Sequence, residues 1–438
     1  MKFISTRGGG SPASFSEALR RGLAPDGGLY VPDGFPALGP DIEAGRFSDT
    51  SDFAGFGARL LAPFLDGDPL APELPAICTR ALNFPLPLKP LARETSVLEL
   101  FHGPTCAFKD VGARFLSDCL ARSPVPDDGL ARTVLVATSG DTGGAVAAAF
   151  FDRPGFDVVI LFPKEKISAR QERQLTCWGG NVRAFAVRGS FDDCQAIVKA
   201  ALREAAAGPV NPWHRRFYSA NSISLGRLLP QMIFHAKASM EHRERHGGKV
   251  GIVVPTGNLG DAVAALWAKR VGFPIDRVML ATNANATISD FFETGTYAPR
   301  PSVSTLANAM DVGDPSNMER LRSLFPDVER LRENVSVEVV TDGEIARAIR
   351  EGEARWGEIW CPHTATGVVA LERARAQGDR NGWILLATAH PAKFETIVEP
   401  LIGHAVPVPE SLRALLDRPS VSVEIEPSMD ALKAALEA

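Results

Sequence analysis

The chain has 438 residues, 45% hydrophobic and 23% charged, the balance of an ordinary globular protein. It excludes wholesale disorder and predicts two to three domains. With 47 Lys and Arg against 52 Asp and Glu, the formal net charge is −5, which gives no support to a nucleic-acid partner or a polybasic membrane contact. Six scattered cysteines form no C-x-x-C pair, the N-terminus has no apolar signal core, and no apolar run approaches the roughly 20 residues of a membrane span. The expectation is a soluble cytoplasmic protein with neither a disulfide framework nor a metal site.

Residues 1 to about 95 are rich in Pro and Gly and read as a separate N-terminal domain. Helices are expected at Ser14–Arg21, where Ser14 and Glu17 form a capping-box pattern, and at Ser51–Leu65. A helix is expected over Asp110–Leu120. From there strands and helices alternate. Thr133–Ala137 is a strand, followed by a helix over Thr142–Phe151. Val158–Phe162 is a strand, followed by a helix over Ile167–Trp178. The strand Val182–Val187 precedes a helix over Ser190–Ala207, capped by Ser190 and ended by Gly208. Val250–Val254, Arg277–Ala281, Val335–Val340 and Trp383–Ala387 are further strands. Asp261–Val271, Asp342–Trp356 and Thr364–Ala376 are further helices. Continuously apolar strands alternating with helices predict an α/β protein whose mostly parallel sheets are covered on both faces. Ligands of such sheets bind in the turns at the carboxyl ends of the strands.

Two of those turns stand out. Thr138-Ser139-Gly140-Asp141-Thr142-Gly143-Gly144 combines hydroxyls, glycines and a helix N-terminus, and so forms an anion cradle. Thr256-Gly257-Asn258-Leu259-Gly260-Asp261 has the same character, and a phosphate is its natural guest. Neither is a nucleotide-binding motif, and each taken singly is equally readable as a capped turn without function. A third feature is Phe108-Lys109-Asp110. A lysine among apolar and small neighbours at a helix start has its charged form disfavoured, which is what amine nucleophiles require. Two anion cradles and an activated amine suggest pyridoxal phosphate acting on an amino acid.

The motifs SEALRRGLAPDGGLYVP (16–32), LELFHGPTCAFKD (98–110), ATSGDTG (137–143), SANS (219–222), PTGNLGD (255–261), LANAMDV (306–312) and TAHPAKF (388–394) occur in this order. In this arrangement the chain resembles the threonine synthase family of fold type II pyridoxal-phosphate enzymes, in the branch that includes enterobacterial and fungal members. The resemblance implies two open, twisted, mostly parallel sheet domains plus an N-terminal accessory domain. It places the accessory domain at 1–95, a large cofactor domain at 96–125 and 226–438, and a small substrate domain at 126–225. It implies that Lys109 holds pyridoxal 5'-phosphate as a Schiff base, with Phe108 packed beside it. Gly257, Asn258, Leu259, Gly260 and Asp261 would wrap the cofactor phosphate, with Leu259 where relatives have Phe and Thr256 where many have Ser. Thr388 would bond the pyridine nitrogen. Ser139, Gly140, Asp141 and Thr142 would hold the substrate α-carboxylate.

The implied reaction turns O-phospho-L-homoserine and water into L-threonine and phosphate. The substrate phosphate needs a further polar patch, for which Lys166 with Ser168, Asn221, Ser222 and Arg227 are candidates. His363 and His390 are expected to be structural, with His390 orienting the turn after Thr388. A monomer or weak homo-oligomer is expected. The alternatives are another fold type II lyase or dehydratase, or a non-catalytic homologue that binds phosphorylated amino acids.

Overall fold

A computed structural model of the chain describes residues 1–92, 94–124, 129–165, 167–206 and 213–437. Near the N-terminus, β1 (Phe3–Ser5) and β2 (Tyr30–Pro32) form an antiparallel pair. The Phe15–Arg21 helix lies between them, and its cap is Ser14, whose hydroxyl accepts the Glu17 N–H. Glu17 does not complete a capping box. Its carboxylate pairs instead with Arg21, one turn on. The second expected helix is Phe53–Leu61, extended by a tight turn through Ala62–Leu65.

The rest of the chain builds two sheets. The first contains β3 (Leu88–Ala92), β4 (Thr95–Glu99), β9 (Val250–Pro255), β10 (Ile275–Thr282), β11 (Val335–Val339) and β12 (Trp383–Ala387). Its order is β11-β10-β9-β12-β4-β3, parallel throughout except for the β3–β4 edge. The second contains β5 (Ala131–Ala137), β6 (Phe156–Pro163), β7 (Val182–Val187), β8 (Arg215–Ser219) and β13 (Val423–Ile425), in the order β13-β7-β6-β5-β8 and all parallel. Every residue of β4, β9 and β12 is buried, as strands covered by helices on both faces must be. Two pairings cross the division in chain order expected from the sequence. The segment 88–92 joins the first sheet through β4, and 423–425 returns to the second sheet through β7. Among the described residues, no helix is long and apolar enough to cross a membrane.

The strands expected from apolar runs are present within a residue or two. So are the helices, among them Lys109–Arg122, Asp141–Phe150, Ala169–Thr176, Phe191–Ala206, Gly260–Arg270 and Pro362–Ala376. The expected end of the Ser190–Ala207 helix, at Ala207 and Gly208, lies outside the described residues. The N-terminal segment is not a loose appendage. Phe15 meets Phe115 of the Lys109–Arg122 helix edge-on at 6.4 Å, and one hydrophobic cluster runs from Phe3 to that helix and into both sheets.

Arg320 ties these parts together. Its fully buried guanidinium donates to Tyr30 O (3.0 Å), Ser222 O (3.1 Å), Ile223 O (2.8 Å) and Asn317 Oδ1 (2.7 Å). Arg320→Met would strand those acceptors and is expected to cost about 3 kcal/mol. The measurement is the thermal midpoint; a midpoint equal to the wild type's would show that the guanidinium does not hold the parts together.

Candidate active site

The turns that follow β4, β5, β8, β9 and β12 all contribute to one cleft.

Lys109 opens its helix on the wall of this cleft. The loop that carries it is clamped by the segment after β12: Phe108 N–H donates to Thr388 O (2.9 Å), His390 N–H donates to Cys106 O (3.0 Å), and Ala107 bridges Ala389. Lys109 is partly exposed, yet enclosed by protein. Loss of hydration lowers its pKa from 10.5 to about 8; Asp141 and Asp261 oppose this shift, and Arg227 and Lys393 add to it. Its Nζ stands 5.4 Å from the centre of the Phe108 ring.

The turn after β9 is rigidly held. Asn258 Oδ1 accepts Ser316 N–H (3.1 Å), and Asn258 O accepts from both Asn317 N–H (3.3 Å) and Asn317 Nδ2 (3.0 Å). Leu259 is left-handed (φ 61°) and opens the Gly260–Arg270 helix. The N–H groups of Gly257, Asn258 and Leu259 have no backbone partner among the described residues, so they are available to an anion at a helix N-terminus. Gly257 is required by its surroundings, since a Cβ would come within 2.8 Å of the Met310 backbone. Gly260 is not, because a Cβ there would meet only Ser222 and Asn317 at ordinary contact distance. Asp261 is buried; His235 Nε2 lies 2.7 Å from its Oδ1, and its Oδ2 has no partner among the described residues.

In the turn after β5, Thr138 Oγ1 accepts both Gly140 N–H and Gly143 N–H at 2.9 Å. Ser139, Asp141 and Thr142 keep their N–H groups free of backbone partners among the described residues and line the cleft. Gly140 does not line it. Its φ of 127° shapes the turn, and a Cβ would strike the Gln171 amide at 2.5 Å. Asp141 is buried, which alone would raise its pKa. Lys393 and Lys109 hold it instead well below the usual carboxylate range.

Lys393 is the principal residue that sequence reasoning missed. It is fully buried, and its Nζ donates to Asp141 Oδ1 (2.8 Å) and Thr105 O (2.8 Å). Gln171 Nε2 donates to the same Asp141 oxygen (3.1 Å), and Ser168 Oγ donates to Lys393 O (2.7 Å). The signal was a lysine inside the apolar TAHPAKF segment, a place where a charge must be paired. Phe191, Gln231, Ala309, Met310 and His363 also line the cleft without having been assigned to it.

The residues expected at a substrate phosphate are distributed differently. Lys166 lies outside the described residues. Asn221 lines the cleft, but its amide is committed to the end of β5, accepting Ala137 N–H (3.1 Å) and donating to Ala137 O (2.6 Å). Ser222 lies against Gly260 of the β9 turn. Arg227 is buried and packs on the first turn of the Lys109 helix, where a Cβ on Gly112 would meet its Nε at 3.0 Å. It donates to Ala220 O, and its Nε has no partner among the described residues. Thr388 is buried in the cleft wall, with its N–H given to Thr364 Oγ1 (3.3 Å) and its hydroxyl free among the described residues. His390 caps the turn after it, accepting Ala392 N–H at Nδ1 (3.2 Å).

An amine of lowered pKa with no hydrogen-bond or ion-pair partner among the described residues, a helix-terminal turn of free N–H groups and a free hydroxyl in one cleft fit pyridoxal phosphate. The comparisons agree. A family model described as pyridoxal-phosphate dependent enzyme matches residues 85–388, one described as threonine synthase N terminus matches 2–82, and one described as threonine synthase, C-terminal matches 364–436. Threonine synthase of Haemophilus influenzae is 37% identical over 97% of this chain and 96% of its own length. That of Escherichia coli is 35% identical over 99% of this chain and 98% of its own. The crystal structure of threonine synthase from Escherichia coli superposes with a TM-score of 0.91 at 34% identity, covering 100% of this chain and 99% of that one. The crystal structure of pyridoxal-phosphate-bound threonine synthase from Brucella melitensis superposes with a TM-score of 0.87 at 33% identity, covering 100% and 98%. The geometry of the cleft and the end-to-end similarity converge on one conclusion: the chain belongs to the threonine synthase family of pyridoxal-phosphate-dependent enzymes.

Proposed function

We propose that the chain converts O-phospho-L-homoserine and water into L-threonine and inorganic phosphate. The observation that carries this reading is that the Lys109 amine, without a partner among the described residues, shares one cleft with two separate sets of backbone N–H groups that have no backbone partner there. Pyridoxal phosphate, when bound, supplies the delocalisation that makes a proton at the substrate Cα removable.

The N–H groups of Gly257, Asn258 and Leu259 would hold the cofactor phosphate, with Ser222 and Arg227 beside them and Asp261 bracing the turn from below. Thr388 would present its hydroxyl to the pyridine nitrogen, and Phe108 would pack on the ring. The N–H groups of Ser139, Asp141 and Thr142 would take the substrate carboxylate, with Gly140 setting the turn. Lys109 Nζ, lowered to about 8, has a neutral fraction able to remove and return the Cα proton. Phe108, Phe191 and Met310 line the cleft and limit bulk water. In the net change one hydrogen passes from Cβ to Cγ, where it replaces the departing phosphate, and one water supplies the hydroxyl to Cβ and its proton to the phosphate.

The domain division expected from the sequence belongs to the same proposal; it is supported by the two separate sheets, with 423–425 added to the substrate-side sheet. A cytoplasmic enzyme, monomeric or weakly associating, is also proposed. The six cysteines, all free and buried, suit a reducing compartment.

Three outcomes test this reading. Purified enzyme loaded with pyridoxal phosphate should release phosphate from O-phosphohomoserine with threonine as the organic product; phosphate without threonine would identify a lyase instead. Covalent uptake of pyridoxal phosphate by the apoenzyme, followed by absorbance, should rise with pH through a midpoint near 8. At pH 7.5 such an amine is about a quarter neutral, against about 0.1% for an ordinary lysine. A midpoint near 10.5 would show that Lys109 is not desolvated.

Lys393→Met leaves the buried Asp141 carboxylate without its direct ion-pair partner. It should cost about 3–5 kcal/mol of stability and raise KM, and Asp141→Asn in the same chain should restore part of the stability. The sign with pH follows from Asp141. Its folded pKa is depressed, so the pair contributes fully above the ordinary carboxylate value of about 4 and is lost on further acidification. Thermal midpoints of the wild type and the double variant should therefore converge at low pH.

A further inference from the structure

His363 is the second residue of the Pro362–Ala376 helix, whose N-terminus is capped by Cys361. It is 4% exposed and lines the cleft with Lys109, Asp141 and Thr388. Its Nε2 accepts the Ala309 N–H at 3.0 Å. A nitrogen that accepts a hydrogen bond carries a lone pair, so the ring is neutral and its proton is on Nδ1. That Nδ1–H is buried and has no partner among the described residues. A buried donor without an acceptor is costly, and a costly group at the wall of a ligand cleft is explained most directly by an acceptor that arrives with the ligand.

The ring cannot readily turn away, because Ala309 holds one edge and Phe394 packs on it with centroids 4.9 Å apart. Burial lowers its pKa to about 4, while Asp141 opposes and Lys109 and Lys393 reinforce the shift, so it does not titrate near neutrality. This is the character of a fixed neutral donor, not of a proton carrier.

We propose that His363 Nδ1–H donates a hydrogen bond to an anionic oxygen of the bound ligand, either the ring oxygen of the cofactor or the carboxylate of the substrate. The proposal rests on the reading that this cleft holds pyridoxal phosphate and an amino-acid substrate. It makes His363 a ligand-binding residue whose tautomer is set by the backbone of Ala309, part of the LANAMDV segment.

The test uses imidazole nitrogen NMR on the full chain, with the His363 signal assigned by its loss in a His363→Asn variant. Spectra are taken of the apoenzyme, after pyridoxal phosphate is added, and after the further addition of the phosphonate analogue of the substrate, in which a methylene replaces the ester oxygen. The apoenzyme should show Nδ1 protonated near pH 7. A displacement with the cofactor alone assigns the acceptor to the cofactor; a displacement only with the phosphonate assigns it to the substrate.

Two variants separate this role from a structural one. His363→Asn keeps an N–H near the position of Nδ1, whereas His363→Gln keeps an acceptor near Nε2 for Ala309. The Asn variant should retain cofactor affinity and KM within about threefold, and the Gln variant should lose about tenfold or more in one of them. The reverse order, or an Nδ1 signal that no ligand moves, would overturn the proposal while leaving the enzyme's function intact. Failure of the wild type to take up pyridoxal phosphate, seen by absorbance, would overturn the functional reading and this proposal together.

Discussion

An amine can act as a nucleophile and base near neutral pH only when its ammonium form is penalised. The rest of this structure follows from enclosing Lys109 under that constraint. Its loop is fastened to the segment after β12 at Phe108, Ala107 and Cys106. That fastening sets the amine at the carboxyl end of the first sheet, where Thr388 and the turn after β9 also open. Enclosure then lowers the pKa of the amine to about 8. The same enclosure penalises every other charge nearby, and the pairing of Asp141 with Lys393 answers that penalty beside the cleft.

The two anion-binding turns meet similar demands by different means. After β9, the free N–H groups are produced by a left-handed Leu259 and held by Asn258, Ser316 and Asn317. After β5, they are produced by Gly140 in a conformation that L side chains rarely adopt, with Thr138 folding the turn inward. The second turn also carries a buried carboxylate beside the place proposed for an anionic substrate. Lys393, fully buried, neutralises it and bonds Thr105 as well, two residues after Gly103 and five before Asp110. One ammonium thus links the substrate-side turn, the lysine loop and the segment after β12.

The N-terminal residues serve the site at one remove. Arg320 accepts no solvent and draws together Tyr30, the backbone at 222–223 and Asn317, which itself holds Asn258. The packing of Phe15 on Phe115 fixes the helix that Lys109 begins. The N-terminal segment therefore bears on the geometry of both the lysine helix and the turn after β9 without lining the cleft.

The alternation of apolar strands and helices was legible in the sequence because buried parallel strands are apolar on both faces, and β5, β6, β7, β9 and β12 all have that pattern. The turns were legible because local backbone chemistry requires glycine and hydroxyl residues there. β8, with its Arg-Arg start, and the short β13 were not, because their pairing comes from neighbours remote in the chain. The composition and net charge excluded classes of partner but said nothing of the charges inside. Gly257 could be read as a site for close approach, yet only the fold shows that it yields to the backbone of Met310. Lys393, His363 and Arg227 belong to the same group. Their residue types were visible from the start, but a charge or an unpaired donor acquires meaning only from what surrounds it once water is gone, and that is decided by segments brought together from across the whole chain.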